Sequence, residues 1–356
     1  MPLRVEWAGD AEGFAALAEE WDALLPVDAH PFDLHCWYLA WWEAFGASSE
    51  MAVCTVRRDG RLAAAFPLRR EGSRLLGFAN DHSPLCRPLA TDREAMEALV
   101  SAVAESARGL ELRGLPAGDP SVAQLEAAAR EASMLPLLEP AYASPFVDTS
   151  GDYETWRKEN KHRWKAPLER LRRKMGRDYD AQFTFIEPPR DFERELEEGL
   201  RIEASGWKGE EGTAINSTPE TAAFYRDVAR SFLARDELRF NWIVLDGIAV
   251  SFDLCLLYRN RLYTVKNGFD ESYRRLAPGL VLRLGVIERC FETEVDEHDL
   301  LGDEIGWKTR FASDNRPHLN LRTYPGGSIG HLRHRYRTRL RPRLKTAYGR
   351  LRPVQR

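Results

Sequence analysis

Two stretches of this chain spell the same β-hairpin, and that recurrence constrains the fold more than any other feature. VCTVRRDGRLAAAFPL (53–68) and WIVLDGIAVSFDL (242–254) each run apolar residues up to an Asp-Gly pair and away from it again. Asp-Gly tolerates the positive φ angles of a tight two-residue turn, so Asp59-Gly60 and Asp246-Gly247 are expected at hairpin tips. Aligned on the turn, this reading places Phe66 opposite Phe252. Helices precede both hairpins and further strand follows both, so a duplicated domain is the economical interpretation. A chain of 356 residues also exceeds what one hydrophobic core usually organises.

The remaining patterns fill in two mixed units. Around the first hairpin the sequence predicts a strand over 3–7, an amphipathic helix over 11–25, helices over 35–45, 92–107 and 119–132, and strands over 109–113 and 134–139. Around the second it predicts a basic helix over 153–177, holding ten Lys/Arg and interrupted by Pro167, whose plain reading is a solvated face. Helices over 190–206 and 218–234 follow, then a three-strand meander over 239–245, 248–258 and 261–266. A helix over 279–290 and a strand over 298–301 close the region. The expected class is α/β (α+β): two tandem domains, 1–150 and 151–327, each a mixed, mostly antiparallel sheet flanked by helices. A basic tail, 328–356, follows them.

Charge is unevenly placed. Residues 331–356 hold ten Lys/Arg and no acid, which leaves 41 basic against 55 acidic residues, net −14, on the rest. Such a tail meets something anionic or packs back on the acidic body. Leu332, Tyr336, Leu340, Leu344 and Tyr348 recur every fourth residue among the arginines, with Pro342 dividing the run. A helix of that kind suits peripheral contact with an anionic membrane face, or phosphates of a nucleic acid. No window approaches the roughly 18 apolar residues of a membrane span, and MPLRVEWAGD lacks a charged start leading into an apolar run, so the cytoplasm is the expected compartment. Five cysteines without a C-x-x-C pair read as reduced core thiols. No H-E-x-x-H or H-x-H pattern occurs, so no metal site is expected.

The run YTVKNGFDESYRRLAPGLVLRLGVIERC (263–290) carries the chemistry. A strand gives way to a polar loop, and Arg274-Arg275-Leu276-Ala277-Pro278-Gly279 opens a helix. That arrangement gathers unpaired N–H groups and the positive end of a helix dipole at one point, where a phosphate can sit. Pro278 suits the first helical turn, and Gly279 admits a ligand close to the backbone. An ordinary helix cap has the same outward pattern.

The hexad R-x-x-A-x-G resembles the pyrophosphate-binding loop Q/R-x-x-G/A-x-G/A of GNAT acetyltransferases. Two further segments, Glu203-x-x-x-Trp207-Lys208-Gly209 and Leu301-Gly302-Asp303-Glu304 with Trp307-Lys308, look like motifs of the CelD-type acyltransferases, relatives of the FemAB peptidyltransferases. The resemblance implies tandem GNAT-like domains and acetyl-CoA or another acyl-CoA as co-substrate. It further implies contacts to the coenzyme from Arg274, Arg275, Ala277, Gly279 and Leu280. It departs from the pattern at Pro278, which removes one amide, and no helical-arm insertion of the FemAB kind is evident.

Acyl transfer from a thioester to an amine needs a neutral acceptor, a polarised carbonyl and a protonated or stabilised leaving thiolate. No G-x-S-x-G elbow is present, so direct attack within a ternary complex is expected. Asp303 is the first candidate for the base and Glu203 the second. Asp303 could equally cap a turn or pair with Lys308. Trp207, Lys208, Lys266, Glu304 and Lys308 are candidates for the acceptor's contacts, against the alternatives of a core tryptophan and surface lysines. The resemblance implies a small-molecule amine as acceptor: an amino-sugar, an amino-acid-like compound or a cell-envelope precursor. Two rival readings remain, an aminoacyl-tRNA-dependent transferase, the one case in which a nucleic acid would be a partner, and a non-catalytic adaptor working through the basic tail.

Overall fold

A computed structural model of the chain describes residues 2–83, 85–159, 165–205 and 218–340. The chain divides into two compact units, Met1–Ala141 with Pro317–Arg356, and Tyr142–Arg316. The boundaries read from sequence, 150/151 and 327/328, lie elsewhere for a physical reason. The chain changes unit inside two long strands, β9 (Met134–Asp148) and β15 (Asp314–Pro325), where no loop composition marks the passage.

The first unit begins with β1 (Leu3–Ala8). The expected helix over 11–25 is two short ones, α1 (Ala11–Ala15), capped by Asp10, and α2 (Ala18–Ala23). Then follow α3 (His35–Phe45), β2 (Glu50–Met51), β3 (Val53–Arg58), β4 (Arg61–Phe66), β5 (Leu68–Glu71), β6 (Arg74–Gly77) and β7 (Leu89–Ala90). The helix α4 (Arg93–Ser106) leads to β8 (Leu110–Pro116), which lies parallel to β6, and α5 (Pro120–Glu131) completes the core. One sheet runs β1-β3-β4-β7. Residues Met96, Leu99, Val100 and Val103 return at helical spacing on α4, so that face buries against Cys54, Val56, Ala64 and Phe66.

The second unit holds α6 (Tyr153–Glu159), α7 (Lys165–Asp178), β10 (Ala181–Glu187), α8 (Phe192–Ala204) and α9 (Pro219–Ala234). After them come β11 (Leu238–Leu245), β12 (Ile248–Tyr258), β13 (Arg261–Phe269), α10 (Pro278–Phe291) and β14 (Glu297–Asp299). Its strands follow the order β10-β11-β12-β13-β14, and β14 pairs with the last residues of β9. Sequence reasoning missed β10, an edge strand whose residues all stay partly exposed and therefore show weak alternation.

The duplication is visible in the topology of each unit. A first strand pairs antiparallel with the hairpin, helices intervene, and after the hairpin a helix returns to a parallel strand. Both tips use Asp-Gly at positive φ, 55° and 79° in the first, 50° and 78° in the second. Both hairpins also carry a bulge at the same place: Ala63 is the extra residue in β4 and Val250 in β12. The expected match of Phe66 with Phe252 needs correction. Phe66 pairs with Cys54 and Phe252 with Trp242, so Phe252 lies one residue nearer its turn. In register, the counterpart of Phe66 is Asp253.

The chain after β15 forms α11 (Ser328–Arg335) and a π-helical turn, Tyr336–Leu340, in the first unit. Leu332 and Tyr336 of the expected apolar stripe are exposed, while Pro342, Leu344 and Tyr348 lie outside the described residues. Among the described residues no helix is long and apolar enough to cross a membrane.

Candidate active site

In the second unit, β13 and β14 form a wedge. They pair in parallel only at Arg261–Glu297, Leu262–His298 and Tyr263–Asp299. Past Tyr263 the strand β13 runs on to Phe269 without β14 beside it. Along that stretch β14 makes no ladder with β13. A bulge adds to this: Leu254 pairs with Lys266 and Cys255 with Thr264, so Val265 has no partner on β12. The crossover from β13 to a parallel β14 sets the start of α10 at the open end of the wedge.

The start of α10 leaves its first N–H groups without a side-chain cap. A 3-10 turn over Glu271–Leu276 leads to Ala277, which takes the left-handed conformation, φ 47° and ψ 50°, as the N-cap. Its carbonyl accepts from the N–H groups of Leu280 and Val281, and no side chain caps the helix. Pro278 occupies the first turn, where its missing N–H costs nothing. Gly279 packs on the end of β13, where a Cβ would stand 3.3 Å from Phe269 Cδ1. Arg274 and Arg275 are exposed, and Ala277, Gly279 and Leu280 are half-buried. The corresponding helix of the first unit, α4, is closed. Asp92 is its N-cap, accepts from the N–H of Ala95, and is clasped by Arg58 at 2.5 Å. The Arg58 contact holds the Asp92 carboxyl far below its usual range.

The other arm of the wedge ends in two left-handed residues, Leu301 (φ 51°) and Gly302 (φ 60°), which turn the chain so that Asp303 and Glu304 are exposed. Asp299 fixes that turn. Its carboxylate accepts from Ser144 Oγ (3.0 Å), the N–H of Leu301 (2.8 Å) and Arg316 Nη1 (2.7 Å). Arg316 also bonds Glu297 at 2.8 Å, whose carboxyl burial pushes up. Lys308 Nζ donates to the carbonyl of Leu301, buttressing the same turn, and Glu304 accepts from Asn315 at 3.3 Å. Tyr142 completes this arm. Burial, then the charges of Asp299 and Asp303, raise its phenol well above the usual range, so it stays protonated at neutral pH.

Beneath the wedge lies a polar cluster that sequence reasoning missed. Arg283, on α10, is buried, and its Nη2 lies 3.0 Å from Asp253 of β12. Its Nη1 donates to Thr264 Oγ1 (2.8 Å) and approaches His298 Nε2 (3.1 Å). His298 is fully buried, and desolvation, then the Arg283 charge, hold it neutral well below the usual histidine range. Nε2, which faces a donor-only guanidinium, therefore accepts, and the ring proton sits on Nδ1. Burial pushes the Cys255 thiol up to about 12, which removes it as a nucleophile near this floor.

Glu203 and Lys266 are brought together at the stretch of β13 past Tyr263, next to the bulge residue Val265. Glu203 is buried near the end of α8, with Oε1 3.9 Å from Lys266 Nζ, and Lys266 lies 4.7 Å over the Tyr225 ring. Gly268 lets the strand press on the helix there, since a Cβ would meet Glu203 Cα at 2.6 Å. The helix closes at Ala204 with Ser205 as C-cap. Trp207 and Lys208 lie outside the described residues.

The second unit so described carries the GNAT fold, and the first unit repeats its order of strand, hairpin, helix and parallel strand. The sequence profile of the acetyltransferase (GNAT) domain family matches residues 162–309, which places that domain in the second unit. Among solved structures, FemX is 10% identical and matches over 91% of this chain and 97% of its own, with a TM-score of 0.56. L-PGS from Bacillus licheniformis is 12% identical over 94% and 97%, with a TM-score of 0.54. The C-terminal domain of a protein described as a lysylphosphatidylglycerol synthetase from Agrobacterium fabrum is 13% identical over 90% and 95%, with a TM-score of 0.56. At these identities the likeness is one of fold. No curated protein matches the chain.

Proposed function

We propose that the second unit is an acyl-CoA-dependent N-acyltransferase of the CelD type, transferring its acyl group directly to the amine of a small acceptor. The observation that carries this reading is the uncapped start of α10 at the mouth of the β13–β14 wedge, within the segment matching the acetyltransferase (GNAT) domain. The helix start offers N–H groups and the positive dipole end to the pyrophosphate, with Arg274 and Arg275 at hand as counter-charges. The freed edge of β13, with the unpartnered Val265, offers a backbone donor to the thioester carbonyl, whose oxygen gains negative charge as the amine attacks.

Asp303 is the base in this reading. It takes the proton that the acceptor nitrogen loses as the C–N bond forms and the C–S bond breaks. Tyr142, whose phenol burial and two carboxylates keep protonated, donates a hydrogen bond to the leaving thiolate, which takes its proton from solvent. Asp299, Arg316, Ser144 and Lys308 hold the Leu301-Gly302 turn and act as positioning residues. Glu203, buried beside Lys266, is a poorer base for a solvent-delivered amine than the exposed Asp303. The test is thiol release from acetyl-CoA in the presence of a panel of amino-sugars and amino acids. Amine-dependent release by the wild type and its loss in Asp303→Asn support the reading.

A second reading keeps the fold and exchanges the donor for an aminoacyl group. It is favoured by the structural likeness to a protein described as a lysylphosphatidylglycerol synthetase, whose name denotes a lysyl product. Donor dependence in the same assay, with acetyl-CoA against aminoacyl-tRNA, decides between the two.

A further inference from the structure

The first unit contains a cavity of about 750 Å³ that the acyl-transfer reading does not use. Arg74, Arg108, Arg322 and Arg333 line it, and among the described residues no acidic side chain does. Glu111 sits between two of these arginines, 2.5 Å from Arg74 Nη1 and 2.5 Å from Arg322 Nη2. One carboxylate thus offsets one of four guanidinium charges. Arg108 and Arg333 are exposed and have no carboxylate partner among the described residues. The Nε of Arg322 is a buried donor without an acceptor among the described residues.

The rest of the lining is backbone-rich. Pro325-Gly326-Gly327-Ser328 turns from β15 into α11, with Gly327 at φ 110° as an N-cap that supplies no side chain. Gly330 lets the helix close on the carbonyl of Pro325, which a Cβ would strike. A helix start without a capping side chain, beside several guanidinium groups of which only one is neutralised, favours a ligand carrying more than one negative charge.

We propose that this cavity binds a phosphate-bearing anion, contacted by Arg108 and Arg333 at its rim and by Arg322 deeper in. The chemistry is shared by a soluble phosphate ester and by an anionic lipid headgroup. The experiment uses the full chain and inorganic pyrophosphate, followed by calorimetry, with Arg108→Glu/Arg333→Glu compared against Arg350→Glu/Arg352→Glu, which makes the same charge change in the tail. The cavity variant should lose about tenfold or more in affinity, the scale of one or two charge-assisted hydrogen bonds, while the tail variant changes far less. Arg108→Gln/Arg333→Gln, with an unchanged melting temperature, guards against a folding defect. Sedimentation with phosphatidylglycerol vesicles that pyrophosphate competes off identifies a headgroup; pyrophosphate binding without vesicle binding identifies a soluble ester. Absence of pyrophosphate binding, or equal losses in the cavity and tail variants, overturns the proposal.

Discussion

Asp92 and Ala277 hold the same place in the two units, the N-cap of the helix that returns to a parallel strand, and only Asp92 fills it with a carboxylate. The duplicated fold therefore has one closed helix start and one open one. The closed end serves stability. Replacing Asp92 by Ala removes the cap to Ala95 and the Arg58 contact, and should lower unfolding free energy by about 1 kcal/mol, the ordinary worth of an N-cap. Urea melts check this, and acyl transfer should be unchanged.

The floor of the wedge depends on a buried charge pair. Arg283→Met leaves Asp253 and the Thr264–His298 pair without their donor, and should cost about 3–5 kcal/mol. Arg283→Met combined with Asp253→Leu should recover a large part of that loss, because no uncompensated charge stays buried. Chemical denaturation of the two single variants and the double variant reads the coupling directly.

Much of this architecture was legible in the sequence, and the exceptions have physical causes. The hairpins were legible because Asp-Gly commits the backbone to positive φ at both tips, and α3 because its aromatic and apolar residues leave few alternatives. The wedge was not, because strand pairing that stops after Tyr263 leaves no mark on composition. Nor were the unit boundaries, which fall inside continuous strands. The Arg283–Asp253 pair did leave a signal. An arginine between Leu282 and Leu284 in a helix that is otherwise apolar, and an aspartate between Phe252 and Leu254 in a buried strand, each demand a partner. Asp303 and the Arg274–Gly279 loop are singled out by their motifs, while Tyr142, on a strand far from them in sequence, comes near Asp303 only through the fold.

His298 should give the protein an acid-sensitive stability. Its folded pKa lies well below the unfolded value near 6.5, so the unfolded chain takes up a proton that the native site refuses. Stability is retained above about pH 6.5 and falls as pH drops below it, by up to about 1.4 kcal/mol per pH unit for one proton. His35, also lowered chiefly by burial, adds a smaller slope in the same direction. His298→Asn should flatten the decline of unfolding free energy between pH 6.5 and 5 relative to the wild type, as measured by urea melts at each pH.

The chemistry of the wedge predicts separable effects at two positions. Asp303→Asn should reduce kcat about 10²–10⁴-fold with little change in the KM for acyl-CoA, as expected for loss of a general base. Tyr142→Phe should reduce kcat without moving the limbs of its pH profile, because a phenol held well above its usual range does not titrate there. Steady-state kinetics across pH with the identified acceptor distinguish the two roles.

Binding of acetyl-CoA to wild type and Ala277→Asp, followed by calorimetry, tests the central claim most directly. Aspartate tolerates the left-handed conformation of Ala277 better than most residues, so the variant should fold with an unchanged melting temperature. Its carboxylate would place on α10 the charge that Asp92 places on α4. The account predicts that the wild type binds acetyl-CoA and that Ala277→Asp loses about tenfold or more of that affinity. No binding by the wild type at about millimolar ligand, or equal binding by the two proteins, would contradict it.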